Sequence, residues 1–508
     1  MKPSINKFTI AVILAVASIV ACNKKLEVLD ENNPTTASYF KTAAELQNGV
    51  NAIYSTLRSG ELVGREWFFT HDMRSGECAP GGPQLEAPRA ELLKEPSPAP
   101  SNSVMSNVWT GCYQMINRAN LVLSKAPDIT DNTDLRDRLV GEASFLRAWA
   151  YFELVSQWGD VPLYTALPES SIDFKGKSAA AEIYTVIISD LTDAVQKLPE
   201  SDGSADNGRA TKGAANALLG RVQMQKGDYA AAKSALLQVY GKYSLVDNYL
   251  WNFDGDVKDD NGLTIITGHE FNQESIFEVV FVDKGDNNFN WGYTGEGSTS
   301  PLSTVRNQEY GITWGNVIPS DRLLNEFEDN DPRYKFTFFE EGDNILTQSP
   351  LSPKKLVATD MNIGTSTRKG VTMKRFFRKY GIYDCVNSGF HPGGINQRLI
   401  RYADVLLMLA ECEAEAGTPA QAANYINEVR SRASVNMPDV TLATKEQALK
   451  AVMHERSVEL SVEQVNSIDI LRWRAKGYFP SIMADPKQGQ VDLFPIPSSE
   501  TSTNPLLK

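Results

Sequence analysis

The sequence predicts a mainly α protein: a tetratricopeptide-like scaffold of helical hairpins with a large irregular, loop-rich region that carries a few short strands. Three observations predict it. Apolar residues recur at the 3.6-residue period in stretch after stretch. Two helix pairs look like copies of one unit, each turning at a glycine. Between the helical blocks, two long segments lose the period and fill with glycine, proline and asparagine, which interrupt regular elements.

The chain opens MKPSINKFTIAVILAVASIVACNKK, with Lys2 and Lys7 ahead of an apolar run from Phe8 to Ala21. That run has the length of a signal-peptide core and falls short of the roughly 20 apolar residues that cross a bilayer. It ends on Ile19-Val20-Ala21-Cys22, which resembles a bacterial lipobox. On this reading residues 1–21 are a lipoprotein signal peptide, Cys22 is the lipidated first residue of the mature chain, and residues 22–32 are its tether. Several acyl chains, at ~0.8 kcal/mol per buried CH2, hold a protein on a membrane where one does not. The alternative is a soluble secreted protein that happens to carry a cysteine there.

Behind the leader, Gly141 to Tyr164 sets Phe145, Trp149 and Phe152 on one helix face, and Gly159 and Pro162 stop the helix. Further amphipathic runs cover Ala43 to Leu57, Val108 to Ser124, Ile183 to Leu198, Lys212 to Gln225, Ala230 to Tyr240, Arg398 to Glu415, Ala420 to Ala433 and Lys445 to Glu463. LLGRVQMQKGDYAAAKSALLQV aligns with MLAECEAEAGTPAQAANYINEV, so that Gly227 falls on Gly417 and Ala232 on Ala422. Helix, glycine turn and a small residue for close contact make the tetratricopeptide pattern. Such hairpins bury their faces only by stacking on neighbours. The first irregular segment, Gly60 to Ser106, holds SGECAPGGPQLEAPRAELLKEPSPAPS, whose prolines and glycines predict no regular element. The second, Trp251 to about Gln397, mixes strand-like pieces such as SIFEVVFV (275–282) with turns.

A net charge of −13 argues against a nucleic-acid partner, which needs clustered Lys and Arg to neutralise phosphates. Beyond Cys22 the cysteines are Cys78, Cys112, Cys385 and Cys412. They lack zinc-ligand spacing. Cys78 with Cys112, or Cys385 with Cys412, could form disulfides; the alternative is unpaired small core residues.

SYFKTAAELQNGVNAIYSTL, VWTGCYQMINRANLVL, EASFLRAWAYFELVSQWGDVPL, GRATKGAANALLGRVQMQKGDY, NDPR (330–333), LIRYADVLLMLAECEAEAG, INEVRSRA, HERSVELSVEQVNSIDILRW and LFPIPSSE follow one another as in the SusD/RagB family, which the chain resembles from about Asn33 to Pro505. The resemblance implies a lipid-anchored outer-membrane protein that faces the cell exterior. It implies a ligand of oligosaccharide, or in some members peptide, and a SusC-like TonB-dependent transporter as partner. It divides the mature chain into an N-terminal helical region (33–250, with a loop insertion at 60–106), an irregular ligand-binding region (251–397) and a C-terminal helical region (398–508). The chain departs from members displayed on the cell surface in having Asn23-Lys24-Lys25 after the cysteine, with acids only from Glu27.

Catalytic motifs fail on spacing, so the expectation is a protein without catalytic residues. Gly176-Lys177-Ser178 has Ser171 where a phosphate loop needs its first glycine, and His454-Glu455 meets Val458 where a zinc-binding HExxH needs histidine. Glu455, Arg456 and Glu459 are expected to form an ion-pair network with Arg472. A lipid-anchored glycoside hydrolase would need two carboxylates flanking a cleft, which spacing does not exclude. No cofactor is expected. Asp254, Asp256, Asp259 and Asp260 could ligate calcium but lack EF-hand spacing, and a solvated turn is the simpler reading.

A sugar presents an apolar C–H face and a hydroxyl rim, so its site needs aromatic rings with polar groups beside them. Trp109, Trp149, Trp158 and Trp473 sit in helical motifs and are expected in the core. The loop aromatics are the candidates. REWFFTHDMRS offers Trp67, Asp72 and Arg74; NNFNWGYTGEG offers Asn288, Trp291 and Tyr293; RNQEYGITWGN offers Tyr310 and Trp314. Phe68 and Phe69 are expected to pin their loop to the scaffold.

Overall fold

The computed structural model describes residues 39–508 except 84, 202–205, 259–262, 283–302, 312–313, 349–350, 382 and 385–393. Cys22, Cys385, Asp259, Asp260, Asn288, Trp291 and Tyr293 therefore lie outside the described residues.

The fold is mainly helical. Helix α1 (Ala43–Leu57) starts on a reciprocal cap between Thr42 and Glu45, which satisfies backbone N–H groups that no helical turn can reach. Then come α2 (Glu66–Asp72), α3 (Ala87–Lys94), α4 (Ser103–Lys125) and α5 (Thr133–Trp158). Helix α6 (Ala180–Lys197) leads to the hairpin of α7 (Lys212–Lys226) and α8 (Tyr229–Leu237). That hairpin turns at Gly227, whose φ of 88° is the left-handed conformation a helix end favours in glycine. Where Gly220 faces α8, an added Cβ would come within 2.5 Å of the Leu236 side chain, so glycine sets the closeness of the pair. The C-terminal block holds α9 (Tyr402–Ala416), α10 (Pro419–Arg430), α11 (Lys445–Glu459), α12 (Asn466–Ala475) and α13 (Ser498–Thr503). Neighbours stack in sequence, α4 on α5, α5 on α6, α6 on α7 and α9 on α10, while α8 packs on α9 and joins the two aligned hairpins. One contiguous apolar core runs through both blocks and includes Trp109, Trp149 and Trp158; Trp473 is buried in a satellite cluster with Met453 and Ile470.

Between α8 and α9 the chain makes short strands in small sheets, one of which takes in a strand from between α2 and α3. Two pairs matter for the site. Strand β1 (Cys78–Pro80) pairs antiparallel with β3 (Val317–Pro319), and β2 (Ser275–Val279) pairs antiparallel with β4 (Gln397–Arg401).

Several expectations are corrected. The segment Gly60 to Ser106 forms two helices, because Pro88 falls in the first turn of α3, where a missing N–H costs nothing. The run from Arg398 to Glu415 is a strand followed by a helix; the Tyr402 N–H donates to the Glu274 carbonyl (2.8 Å) at the switch. Cys78 and Cys112 are both buried free thiols, as is Cys412, so no bridge joins Cys78 to Cys112. Arg472 pairs with Glu411 and Asp469, while Arg456 pairs with Asp469 and Asp404. Glu455 and Glu459 face other partners.

Those partners form a buried charge network that ties the helical block to the irregular region. Glu459 meets Arg333 (3.0 Å), Arg401 (2.7 Å) and Arg432 (2.9 Å). Arg401 also reaches Glu274 (2.7 Å) and Glu463 (2.6 Å), and Arg432 reaches Glu274 (2.5 Å). Arg333 pairs with Asp331 (2.7 Å) and Glu455, which in turn meets Arg430 (3.1 Å); Lys379 pairs with Glu463 (2.9 Å). Five cations face five anions, all buried.

Removing one member leaves its partners charged and unpaired, which costs about 3–5 kcal/mol in buried networks. Glu459→Gln is therefore expected to lower the urea-unfolding free energy by about that amount. Burial alone pushes Glu274 up, yet Arg432 and Arg401 hold it down at about 2, from an ordinary 4.5. A depressed folded value means that the stabilisation is complete above about 4.5 and is lost as pH falls towards 2. Wild type is expected to lose stability steeply across that window, and Glu274→Gln to show a flatter curve from a lower neutral-pH value.

Candidate functional site

The first group of predicted residues is not at the surface. REWFFTHD folds into α2, and Trp67 (4% exposed) packs edge-on against His71 and beside Trp149. Asp72 (0%) accepts hydrogen bonds from the Tyr310 hydroxyl and the Gln464 amide, both at 2.7 Å. Burial raises the Asp72 pKa, and Arg306, Tyr310 and Gln464 oppose the shift. Tyr310 (1%) packs among Phe68, Phe69 and Phe377. Trp67, Asp72 and Tyr310 are thus core residues, inaccessible to a ligand. Trp67 and Asp72 are turned inward by α2 and Tyr310 by a separate short helix, Arg306–Tyr310, which a loop reading could not foresee. Arg74 is half-buried; it donates to the Val491 carbonyl and lies over the Phe494 ring, tacking down the C-terminal segment.

Trp314 is different. It is half-buried at the edge of the irregular region, just before β3, and its N–H donates to the Gln308 carbonyl (3.3 Å). Beneath it three backbone segments meet. Gly81 N–H donates to Asn316 O (2.9 Å), and Gly364 N–H donates to Gly81 O (2.5 Å). A Cβ on Gly81 would lie 1.7 Å from the Gly315 carbonyl oxygen, and Gly315 itself has φ +51°. Only glycine permits this junction. Under the same turn, Glu309 receives Arg65 (2.6 Å) and the Asn316 amide, while Arg65 also reaches Glu86 (3.3 Å). Trp314 therefore sits on a base fixed by backbone packing, a ladder and ion pairs.

The sequence matches the family model described as "SusD family" over residues 273–508, and the model described as "Starch-binding associating with outer membrane" over residues 91–224. SusD-like protein P2 of Formosa agariphila is 25% identical over 500 residues, covering 92% of this chain and 90% of that protein. The chain belongs to the SusD/RagB family. Among solved structures, a SusD-like carbohydrate-binding protein of Bacteroides fragilis is 22% identical, with a TM-score of 0.72 over 92% of this chain and all of that one. Surface glycan-binding protein A of Bacteroides thetaiotaomicron, in complex with laminarihexaose, is 20% identical, with a TM-score of 0.68 over 91% of this chain and 98% of that one.

In this SusD/RagB member the structure brings together one arrangement that sequence spacing hides. The Ser467 hydroxyl lies 2.8 Å from His71 Nδ1, and His71 Nε2 lies 2.8 Å from Glu153. The order is that of a nucleophile, a base and an orienting acid. All three are buried, at 8%, 1% and 3% exposure, and the adjoining cavity measures only ≈30 Å³. No substrate fits, and the chain of bonds serves as a core contact between α2, α5 and α12. Among the described residues no group of three or more His, Cys, Asp or Glu side chains is placed to hold a metal ion. Asp254 accepts from His269 (2.7 Å) and Asp256 from the Gly268 N–H (2.9 Å), so both brace their own turn.

The two kinds of aromatic position separate experimentally. Asp72→Ala strands the Tyr310 hydroxyl and the Gln464 amide, each unsatisfied group costing about 1–3 kcal/mol. Urea unfolding is expected to show that loss, whereas Trp314→Ala stays within about 1.5 kcal/mol of wild type.

Proposed function

We propose that the protein captures oligosaccharides of nutrient glycans at the loop face around Trp314 and passes them, unhydrolysed, to a SusC-like TonB-dependent transporter. The lipid on Cys22 would keep it at the outer membrane beside that partner, facing the cell exterior. The observation that carries this reading is Trp314: a half-buried tryptophan on a glycine-fixed base, in a chain whose tryptophans on α2, α4, α5 and α12 are in the core. A flat ring held in place suits the C–H face of a sugar. Asn288, Trp291 and Tyr293 complete the proposed site, with amide and hydroxyl groups for the sugar's rim. The carbohydrate-binding and laminarihexaose-bound relatives support a glycan as the ligand class.

Stacking contributes about 0.5–1.5 kcal/mol per ring, offset by the ordering of ligand and loops. A few rings therefore give micromolar or weaker affinity, which lets cargo be handed on. Titration calorimetry of the full-length protein in detergent, against laminarihexaose, other oligosaccharides and mixed peptides, tests the reading. Saturable binding of a glycan is expected, weakened about threefold to tenfold by Trp314→Ala. Binding of peptides alone would move the protein to peptide capture, and shortening of the glycan would make it a hydrolase.

A further inference from the structure

A second cavity, of ≈240 Å³, lies between the middle of α4, the segment after Gly159 and the C-terminal helix α13. Its lining includes the half-buried Tyr113, Tyr164 and Phe174, together with Ile116, Asn117 and Glu500. Nothing in the loop site described above touches it. The LFPIPSSE motif at the C-terminus supplies Glu500, while its Phe494 and Pro495 pack against Trp158.

The rings are held before anything binds. Tyr113 donates from its hydroxyl to Pro162 O (2.8 Å), and the Tyr164 hydroxyl accepts from the Lys175 N–H (3.1 Å). Tyr113 and Tyr164 stand nearly perpendicular, at 87° with centroids 6.2 Å apart. Asn504 donates to Lys175 O (2.8 Å), fastening the C-terminal segment to the loop that carries Phe174. Rings fixed in this way lose little freedom on binding.

Size and charge select the occupant. Drug-sized sites run to roughly 300–1,000 Å³, so this one takes a single ring, with the rest of a chain left outside. Glu500 is the one ionisable lining side chain besides the two tyrosines, and burial raises its pKa against the pull of the Trp109 indole. The cavity therefore presents aromatic side chains, one carboxyl and the amides of Asn117, Asn120 and Asn504, with no lysine or arginine in its lining. We infer that this cavity is a second carbohydrate subsite, which takes one neutral pyranose ring between the Tyr113, Tyr164 and Phe174 rings with its hydroxyls on Glu500 and Asn117. The inference rests on the glycan reading for the choice of ligand, and its site is independent of Trp314. A second foothold would hold one end of a long glycan while the loop face holds another stretch.

Saturation-transfer NMR on the full-length protein tests it, with the methyl glycosides of glucose, galactose, mannose and xylose as single-ring probes. At least one is expected to bind, and to bind tenfold or more weakly in Phe174→Ala and in Glu500→Gln, while Trp314→Ala leaves it unchanged. Phe174 is a half-buried loop residue, and an unchanged circular dichroism spectrum confirms that its variant folds. Failure of all four probes, or binding that neither variant weakens, overturns the inference. Tetramethylammonium binding in place of the sugars, lost in Phe174→Ala, would make the cavity an aromatic cage for a cation and also overturns it. Loss of oligosaccharide binding in Trp314→Ala with the single-ring signal intact would leave both sites standing separately.

Discussion

The buried charges around Glu459 are the constraint on which the rest depends. A carboxylate taken out of water is costly unless its lone pairs are filled by cations held in place. Glu459 and Glu274 meet that demand with arginines from distant parts of the chain: Arg333 from the irregular region, Arg401 from the end of β4 and Arg432 beyond α10. The pairing works only when all of those segments arrive together. A scaffold of stacked hairpins needs only its neighbours, whereas the loops with short strands pack partly in small satellite clusters, such as that of Ile318, Phe339 and Phe376. The network adds to those clusters a set of ion pairs that joins the loops to α11.

That anchoring has a consequence for recognition. Trp314 stands only a few residues from Glu309, which is held by Arg65 from the start of α2, and above a turn where Gly81, Gly315 and Gly364 touch backbone to backbone. Asp72, Tyr310 and Gln464, all buried, bond to one another. A ring mounted in this way is rigid even though it belongs to a loop. Rigidity keeps the entropic cost of stacking low, so a shallow face can hold a sugar weakly without closing over it. In a protein proposed to pass cargo to a transporter, weak and open is the useful combination.

The helical half was legible because its signals are local. The apolar period places α1 at Ala43–Leu57, and Gly227 marks the turn between α7 and α8, as read from the sequence; the Thr42–Glu45 cap then fixes where α1 begins. The aligned hairpins required stacking on neighbours, and in the structure α8 packs on α9. The irregular half was not legible to the same degree, since its elements exist through partners far away in sequence. Cys78–Pro80 becomes a strand only beside Val317–Pro319, and Gln397–Arg401 only beside Ser275–Val279. The site was half legible for the same reason. REWFFTHD has the aromatic density of a binding loop, but one turn of helix directs Trp67 and Asp72 inward, and no local feature separates that outcome from exposure. Trp314, flanked by glycine, stays off the helix faces and remains half-buried. The Ser467–His71–Glu153 chain was invisible, its members lying on three helices far apart in sequence.

Hydrogen exchange of the full-length protein, with and without saturating laminarihexaose, tests the central claim most directly. The account predicts added protection at the amides of residues 306–311 and 314–317, around the Trp314 turn, with the α7–α8 hairpin unchanged. Protection confined to the helical scaffold, with the Trp314 turn exchanging as before, would contradict it.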